Sequence, residues 1–277
     1  MKSPLYYKAL CLSLVLVLSA SAFCSCVGKQ PEANAYESTV PASFSETAGV
    51  ERTMPEPPYN PTKITQQDST GYTICVDPGH GFLDGGCGDG CYSDGTLERD
   101  ITLDVATLLT KRLELLGYKV IQTHNGKDLP SQDTNKNRVF SATERVVYAN
   151  SLDIDYLISI HVNSLDGDTS VKGMHIYYKQ SDIKVNDWSR TLCESIADAL
   201  AEEIGPEAYP RIKDGSDPNT TFAITKDVTA ASSLLEIGFI TNETDAANMV
   251  DPLWQEVVAN AIADGIDNFF KGLNTKA

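Results

Sequence analysis

The chain contains only four histidines, His80, His124, His161 and His175. Two of them directly follow short apolar runs that have the character of buried strands. His80 stands in Asp77-Pro78-Gly79-His80-Gly81 after the run 74–77, and His161 stands in His161-Val162-Asn163-Ser164 after the run 156–160. A lone histidine is more often a structural residue satisfied by its neighbours. Two histidines delivered by strand ends can converge on one point, and imidazole is the commonest metal ligand among side chains. For the pair, the metal-binding reading outweighs the structural one. Glycines on both sides of His80 let the backbone approach a ligand closely.

A catalytic zinc keeps three protein ligands and one open position, so a carboxylate is wanted beside the two imidazoles. Glu98, in Leu97-Glu98-Arg99-Asp100, stands where the loop that begins at His80 gives way to the first long helical pattern. Its other reading is charge compensation at a helix N-terminus, a role that Asp100 or Asp104 fills equally well. With the ligand positions occupied, proton transfer needs a second acid. Glu236 lies in Leu234-Leu235-Glu236-Ile237-Gly238-Phe239, and an acid in so apolar a run is costly unless paired or functional. A buried ion pair is the alternative, although no basic residue is near in sequence.

These residues must be held by a regular frame, and the pattern supplies one. Strands are expected at 72–76, 118–123, 156–160, 174–178, 222–225 and 233–235. Ile101, Val105, Leu108, Leu109 and Leu116 keep helical spacing up to Gly117, and further helices are expected at 142–149, 188–204 and 253–270. Apolar strands alternating with amphipathic helices argue an α/β fold, a sheet flanked by helices and largely parallel in its first half. Open sheets of this kind place their sites at the carboxyl ends of strands.

Taken in order, Asp77-Pro78-Gly79-His80-Gly81, Glu98, Ser159-Ile160-His161-Val162-Asn163 and Glu236-Ile237-Gly238-Phe239 resemble the zinc-dependent N-acetylmuramoyl-L-alanine amidases found among autolysins and spore cortex enzymes. The likeness runs over 72–273, with lesser matches at Arg145, Ala149-Asn150 and Thr241-Asn242. It implies zinc bound by His80, Glu98 and His161, with Glu236 as catalytic acid and base. It implies cleavage of the amide between N-acetylmuramic acid and the L-alanine of the peptidoglycan stem peptide. It also implies a single domain with a mixed, six-stranded sheet packed by helices. A zinc peptidase acting within the stem peptide shares this chemistry. A catalytically silent wall-binding or regulatory module is a third reading, but its usual mark, a lost ligand or acid, is not seen. The chain departs from the family pattern in a longer loop at 81–97 carrying Cys87 and Cys91, in His124 where arginine often follows a threonine, and in His175. Both of these histidines are expected at the surface or in support of the site rather than as ligands.

The ends of the chain speak to location. Lys2 and Lys8 precede an apolar run at 9–23 broken only by serines, too short to span a bilayer comfortably and suited to an export signal. Cys26 after the small Ser25 is the better lipid-attachment candidate than Cys24 after Phe23. Residues 1–25 therefore read as a signal, possible in lipoprotein form, and 26–71 as a disordered linker rich in Pro, Ser, Thr and Glu, with four prolines within 54–61. Residues 72–274 read as the catalytic domain, and no wall-binding module is visible on either side of it. The expected location is the outer face of the cytoplasmic membrane, held by lipid on Cys26, or the wall and exterior. Net charge is −16, and the signal holds two lysines and no acids. Nothing basic is clustered, which argues against a nucleic-acid partner and for a weakly self-associating monomer. Of seven cysteines, Cys75 and Cys193 sit in apolar stretches and read as buried thiols. Cys87 and Cys91 are placed for a local disulfide.

Overall fold

The computed structural model describes residues 70–87, 96–127, 138–179, 183–215 and 222–274. The signal run, Cys24, Cys26, almost all of the linker and Cys91 lie outside the described residues. So does the question of a Cys87–Cys91 disulfide. Among the described residues no helix is long and apolar enough to cross a membrane.

Six strands form one mixed sheet: β1 (Thr73–Pro78), β2 (Lys119–Gln122), β3 (Tyr156–Asn163), β4 (His175–Tyr178), β5 (Arg211–Asp214) and β6 (Ala231–Phe239), in the order β2-β1-β3-β6-β4-β5. Four neighbours, β2, β1, β3 and β6, run parallel; β4 turns antiparallel against β6 and carries β5 parallel to itself. The helices are α1 (Glu98–Leu115), α2 (Ala142–Asn150), α3 (Ile183–Glu203), α4 (Ala223–Asp227), α5 (Glu243–Met249) and α6 (Pro252–Asn274).

The two faces of the sheet are covered unequally. Ile74, Val76, Ile158, Ile160, Val162, Ile176, Leu235 and Ile237 pack with the apolar stripes of the long helices α1, α3 and α6 in one large core. Alternate residues point the other way. There Cys75 and Leu157 meet only Val146 and Ala149 of α2 and Ile224 and Val228 at α4. Strands buried on both faces read as continuous apolar runs, which is why they stood out in the sequence. The two short helices cover part of their face and leave its upper end, at the carboxyl ends of β1, β3 and β6, open to a cavity.

Local signals explain most boundaries. Gly117, at φ +89°, takes the left-handed residue that closes α1. Ser141 accepts from the Glu144 amide while the Glu144 carboxylate accepts from the Ser141 amide, a capping box that starts α2. Asn242 caps α5 in the same sense, accepting from the amides of Thr244 and Asp245.

Three expectations need correction. Residues 222–225 were expected as a strand, but 223–227 form the helix α4, its Ile224 turned onto Cys75 and Leu157. A run of four apolar residues carries no period that separates strand from helix. The edge strand β5 was not foreseen, because Arg211-Ile212-Lys213-Asp214 has one apolar residue and the charges typical of a sheet edge. The β3 strand continues through His161 to Asn163 instead of ending before it. Cys75 and Cys193 are buried as expected, and burial raises both thiol pKa values far above the ordinary range.

The large core rests on a close crossing of α3 and α6. A Cβ on Gly265 would lie 2.5 Å from the Ile196 Cα and 2.8 Å from the Ser195 carbonyl oxygen. The Ser195 hydroxyl donates to the Gly265 carbonyl at 2.7 Å. Gly265→Ala should therefore force the helices apart and destabilise the fold by about 1–3 kcal/mol, read as a lowered urea midpoint. An unchanged midpoint would show that the crossing yields without cost.

Candidate functional site

The site begins with the turn after β1. Gly79 donates its amide to the Ile160 carbonyl at 2.8 Å, and a Cβ there would lie 2.6 Å from the His161 ring. Only glycine lets the turn lie this close to β3. The next residue, His80, sits at φ +63°, a conformation that side-chain-bearing residues rarely take. The turn thus aims His80 back across the sheet end toward His161, and the two rings meet edge to face with centroids 4.9 Å apart.

Glu98, the first residue of α1, reaches between them. Its Oε1 lies 3.2 Å from His80 Nε2 and 3.2 Å from His161 Nδ1. Two backbone amides hold it: Val162 donates to Oε1 at 2.9 Å and Cys87 to Oε2 at 2.6 Å. One ligand atom from each of His80, Glu98 and His161 falls within 4.8 Å of the others, and among the described residues this is the one such group of metal-ligating side chains found. On the far side of its ring, His80 Nδ1 lies 3.0 Å from Asp84 Oδ1. With a metal bound, a carboxylate there would keep the ring's single proton on Nδ1 and leave Nε2 to ligate, the usual outer support of a metal-ligating histidine. Two nitrogens and one ionised oxygen, so close and so oriented, fit a divalent cation.

The electrostatics agree. Burial pushes the Glu98 carboxyl up, but hydrogen bonding and charge from His161 and His80 outweigh it and hold it well below the usual carboxylate range. Burial, helped by the charges of His80 and Arg145, moves His161 down against the opposing pull of Glu98. At His80 burial is overcome by Glu98 and Asp84, which raise it. The cluster is a negative charge that draws in positive charge.

Glu236 stands directly opposite His161 in the parallel β3–β6 ladder, so both side chains leave the same face of the sheet. Just beyond this pair the register shifts, a bulge of the kind that re-aims side chains beside active sites. His80, Glu98, His161 and Glu236 line one cavity of about 440 Å³, with Arg145 and Phe222 among its other walls. Glu236 is 7% exposed, and its Oε2 has no hydrogen-bond partner. Burial, and then the negative charge of Glu98, push its carboxyl up to about 8. No ion pair of Glu236 is present among the described residues.

Residues 74–268 match the model of the family described as N-acetylmuramoyl-L-alanine amidase. The chain belongs to this family. The Bacillus subtilis (strain 168) N-acetylmuramoyl-L-alanine amidase LytC is 30% identical over 213 residues, covering 76% of this chain. This chain spans only 38% of the length of LytC. The germination-specific N-acetylmuramoyl-L-alanine amidase of the same organism is 27% identical over 73% of this chain and 81% of its own length. Among solved structures, the CwlD amidase from Clostridioides difficile, in complex with the GerS lipoprotein, superposes with a TM-score of 0.59 at 25% identity, covering 73% of this chain and 99% of that one. The mixed six-stranded sheet and flanking helices are thus the fold of the amidase family.

Sequence reasoning overlooked what supports the amidase site. Asp77 is fully buried; it accepts from the hydroxyls of Thr123 and Ser159, each at 2.6 Å, and pairs with Arg145 Nε at 2.8 Å. Arg145 in turn donates to the Phe140 carbonyl at 2.9 Å. Asp77 was visible as a charge ending an apolar strand, the one available signal. His124 is buried and not at the surface: Nδ1 accepts from the Gly126 amide at 3.3 Å, leaving Nε2 to donate to the Pro78 carbonyl at 3.1 Å. It braces the turn that carries His80. His175 is likewise buried, directly opposite Glu236 in β4.

Replacing Arg145 by methionine keeps volume but leaves the Asp77 charge buried without its counter-ion. Arg145→Met should cost about 3–5 kcal/mol in denaturant unfolding. A loss below about 1 kcal/mol would mean that the two hydroxyls suffice for Asp77.

Proposed function

We propose that the chain hydrolyses the amide between N-acetylmuramic acid and the L-alanine of the peptidoglycan stem peptide, with zinc held by His80, Glu98 and His161 and with Glu236 moving the proton. The observation that carries this reading is the convergence, in one cavity, of a three-ligand cluster and a separate, unpartnered carboxyl. Two imidazole nitrogens and one carboxylate are a common catalytic zinc set that leaves a position open. When bound, zinc supplies Lewis acidity, polarising a carbonyl and acidifying water to a pKa of about 7.

The chain's own residues supply the rest. Asp84 and the amides of Cys87 and Val162 keep the ligand atoms aimed inward. Glu236 is the group in the cavity that is free to exchange a proton. Its burial makes the neutral form accessible near neutral pH, and a bound cation opposes that shift. Glu236 takes the proton of the attacking water and returns it to the alanine nitrogen. An amide nitrogen leaves poorly until it is protonated, so the return is as necessary as the uptake.

The test is release of stem peptides bearing a free L-alanine amino group from purified wall fragments, read by mass spectrometry beside zinc content. His161→Ala should lose most of its zinc. Glu236→Gln should keep its zinc while turnover falls by about 10²–10⁴, with KM little changed. Full zinc in His161→Ala removes it from the ligand set. Zinc lost from Glu236→Gln makes that residue a ligand, and near-normal turnover removes it from the mechanism. Cleavage only within the peptide would make the chain a peptidase.

The site of action follows from the N-terminal segment. We infer export, with lipid on Cys26 holding the catalytic domain to the outer face of the cytoplasmic membrane through the linker. Cys26→Ala should move the protein to the soluble exported fraction on membrane fractionation. Unchanged membrane partition would point to Cys24 or to an ordinary signal.

A further inference from the structure

The cavity face of the sheet continues past Glu236. In the antiparallel β4–β6 ladder His175 is the direct partner of Glu236, and on its other side it is the partner of Arg211. Residues paired across a ladder share a face, with Cβ atoms about 5 Å apart. His161, Glu236 and His175 therefore form one row across three strands.

The His175 ring is held by its neighbours, edge to face with Phe239 at 5.3 Å and with Tyr177 at 6.3 Å. Lys213 Nζ lies 3.2 Å from His175 Nδ1 and 3.5 Å from the Tyr177 hydroxyl. An ammonium group only donates. Nδ1 must accept from it, so the single proton of the neutral ring is on Nε2. The ring is neutral at ordinary pH, since burial, then the charges of Lys213 and Arg211, push it down to about 4.

Among the described residues, that Nε2 has no hydrogen-bond partner, and neither has Glu236 Oε2. A buried donor and a buried acceptor are thus orphaned at directly paired positions, each costly to leave unmade.

We propose that His175 is a positioning residue for Glu236: Lys213 fixes its tautomer, and its Nε2–H donates to Oε2, holding the carboxylate in the orientation for proton transfer. The inference rests on the reading of Glu236 as proton carrier. With Oε2 engaged, Oε1 is left to exchange the proton. A neutral donor orients the carboxylate without the full charge that would make it a poor base.

Three measurements on the zinc-loaded full chain test this. Nitrogen-15 spectra of histidine-labelled protein should show His175 neutral and protonated at Nε2, its signals assigned by their loss in His175→Gln. An Nδ1–H tautomer overturns the proposal. His175→Phe keeps a ring and removes the donor; kcat should fall about 10–100-fold with KM and zinc content unchanged. His175→Gln restores an amide N–H near the Nε2 position and should recover most of that loss. A phenylalanine variant with wild-type kcat, or a glutamine variant no better than phenylalanine, overturns the proposal. Glu236→Gln, measured alongside, separates the two failures. If it keeps full turnover, the proton-carrier reading falls and takes its partner with it. If it is inactive while His175→Phe is fully active, only the positioning role falls.

Discussion

The buried carboxylate of Asp77 ties together β1, β3 and α2, three of the elements that reach the site, with the end of β2. It stands next to the end of β1, accepts a hydrogen bond from the hydroxyl of Thr123 just after β2 and another from Ser159 in β3, and faces the guanidinium of Arg145 from α2. A charge with no exposed surface is tolerable only if it is paired and hydrogen-bonded on every side. That requirement works as a constraint on geometry. Moving β1, β3 or α2 by an ångström or two leaves part of a buried charge unsatisfied. Three residues beyond Asp77 stands His80, two residues beyond Ser159 stands His161, and Arg145 itself lines the cavity. The electrostatic demand of one side chain is thereby passed to the parts that must not move.

The alternation of the strands does the remaining sorting. In β3, Ile158, Ile160 and Val162 enter the large core, so Leu157, Ser159 and His161 must face the other way. In β6, Leu235 and Ile237 enter the core, and Leu234 and Glu236 face the cavity. A slip of one residue in either strand would bury the polar set and expose the apolar one. The hydrophobic core under α1, α3 and α6 therefore sets the register that aligns His161 with Glu236. Polar function costs this core little, because it occupies the face that only α2 and α4 cover.

This division also explains what the sequence could reveal. Strands buried on both faces, such as 73–78 and 156–163, are mostly apolar, broken by Asp77 in the first and by Ser159 and His161 in the second, and announce themselves; so does α1, with Ile101, Val105, Leu109 and Leu113 four residues apart. His80, His161 and Glu236 stood out because each is a polar residue set beside such a run, and Glu98 because it stands where the loop from His80 meets the helical pattern of α1. The pieces that were missed have no such contrast. Ala223-Ile224-Thr225 is too short to show a period, and β5 owes its place to pairing with β4 rather than to its own composition. The Asp77–Arg145 pair spans 68 residues of sequence between partners on different elements, and no local pattern connects them. His124 and His175 were read as surface or supporting residues, and which of the two holds is decided by Phe82, Phe140, Tyr177 and Phe239 arriving from elsewhere.

Two carboxylates share the cavity, and their surroundings drive them apart. Glu98 accepts from two backbone amides and touches two imidazoles, so every neighbour within reach favours the ionised form. Glu236 is also buried but, among the described residues, has an unpartnered oxygen and no ion pair, and the negative charge of Glu98 outweighs the more weakly felt charges of His80 and Lys213. The first is built to stay charged, as a metal ligand must be. The second is left without the partners that would hold it ionised, which suits the proton-carrying role proposed for it. Exchanging the two residues' roles would require Glu98 to give up two amide donors and its two imidazole neighbours, and Glu236 to acquire them. The chain differentiates two chemically identical side chains by backbone placement alone: one at a helix start under converging amides, the other inside a strand among leucine and isoleucine. That asymmetry is the physical ground for assigning the ligand role to Glu98 and the proton-carrying role to Glu236.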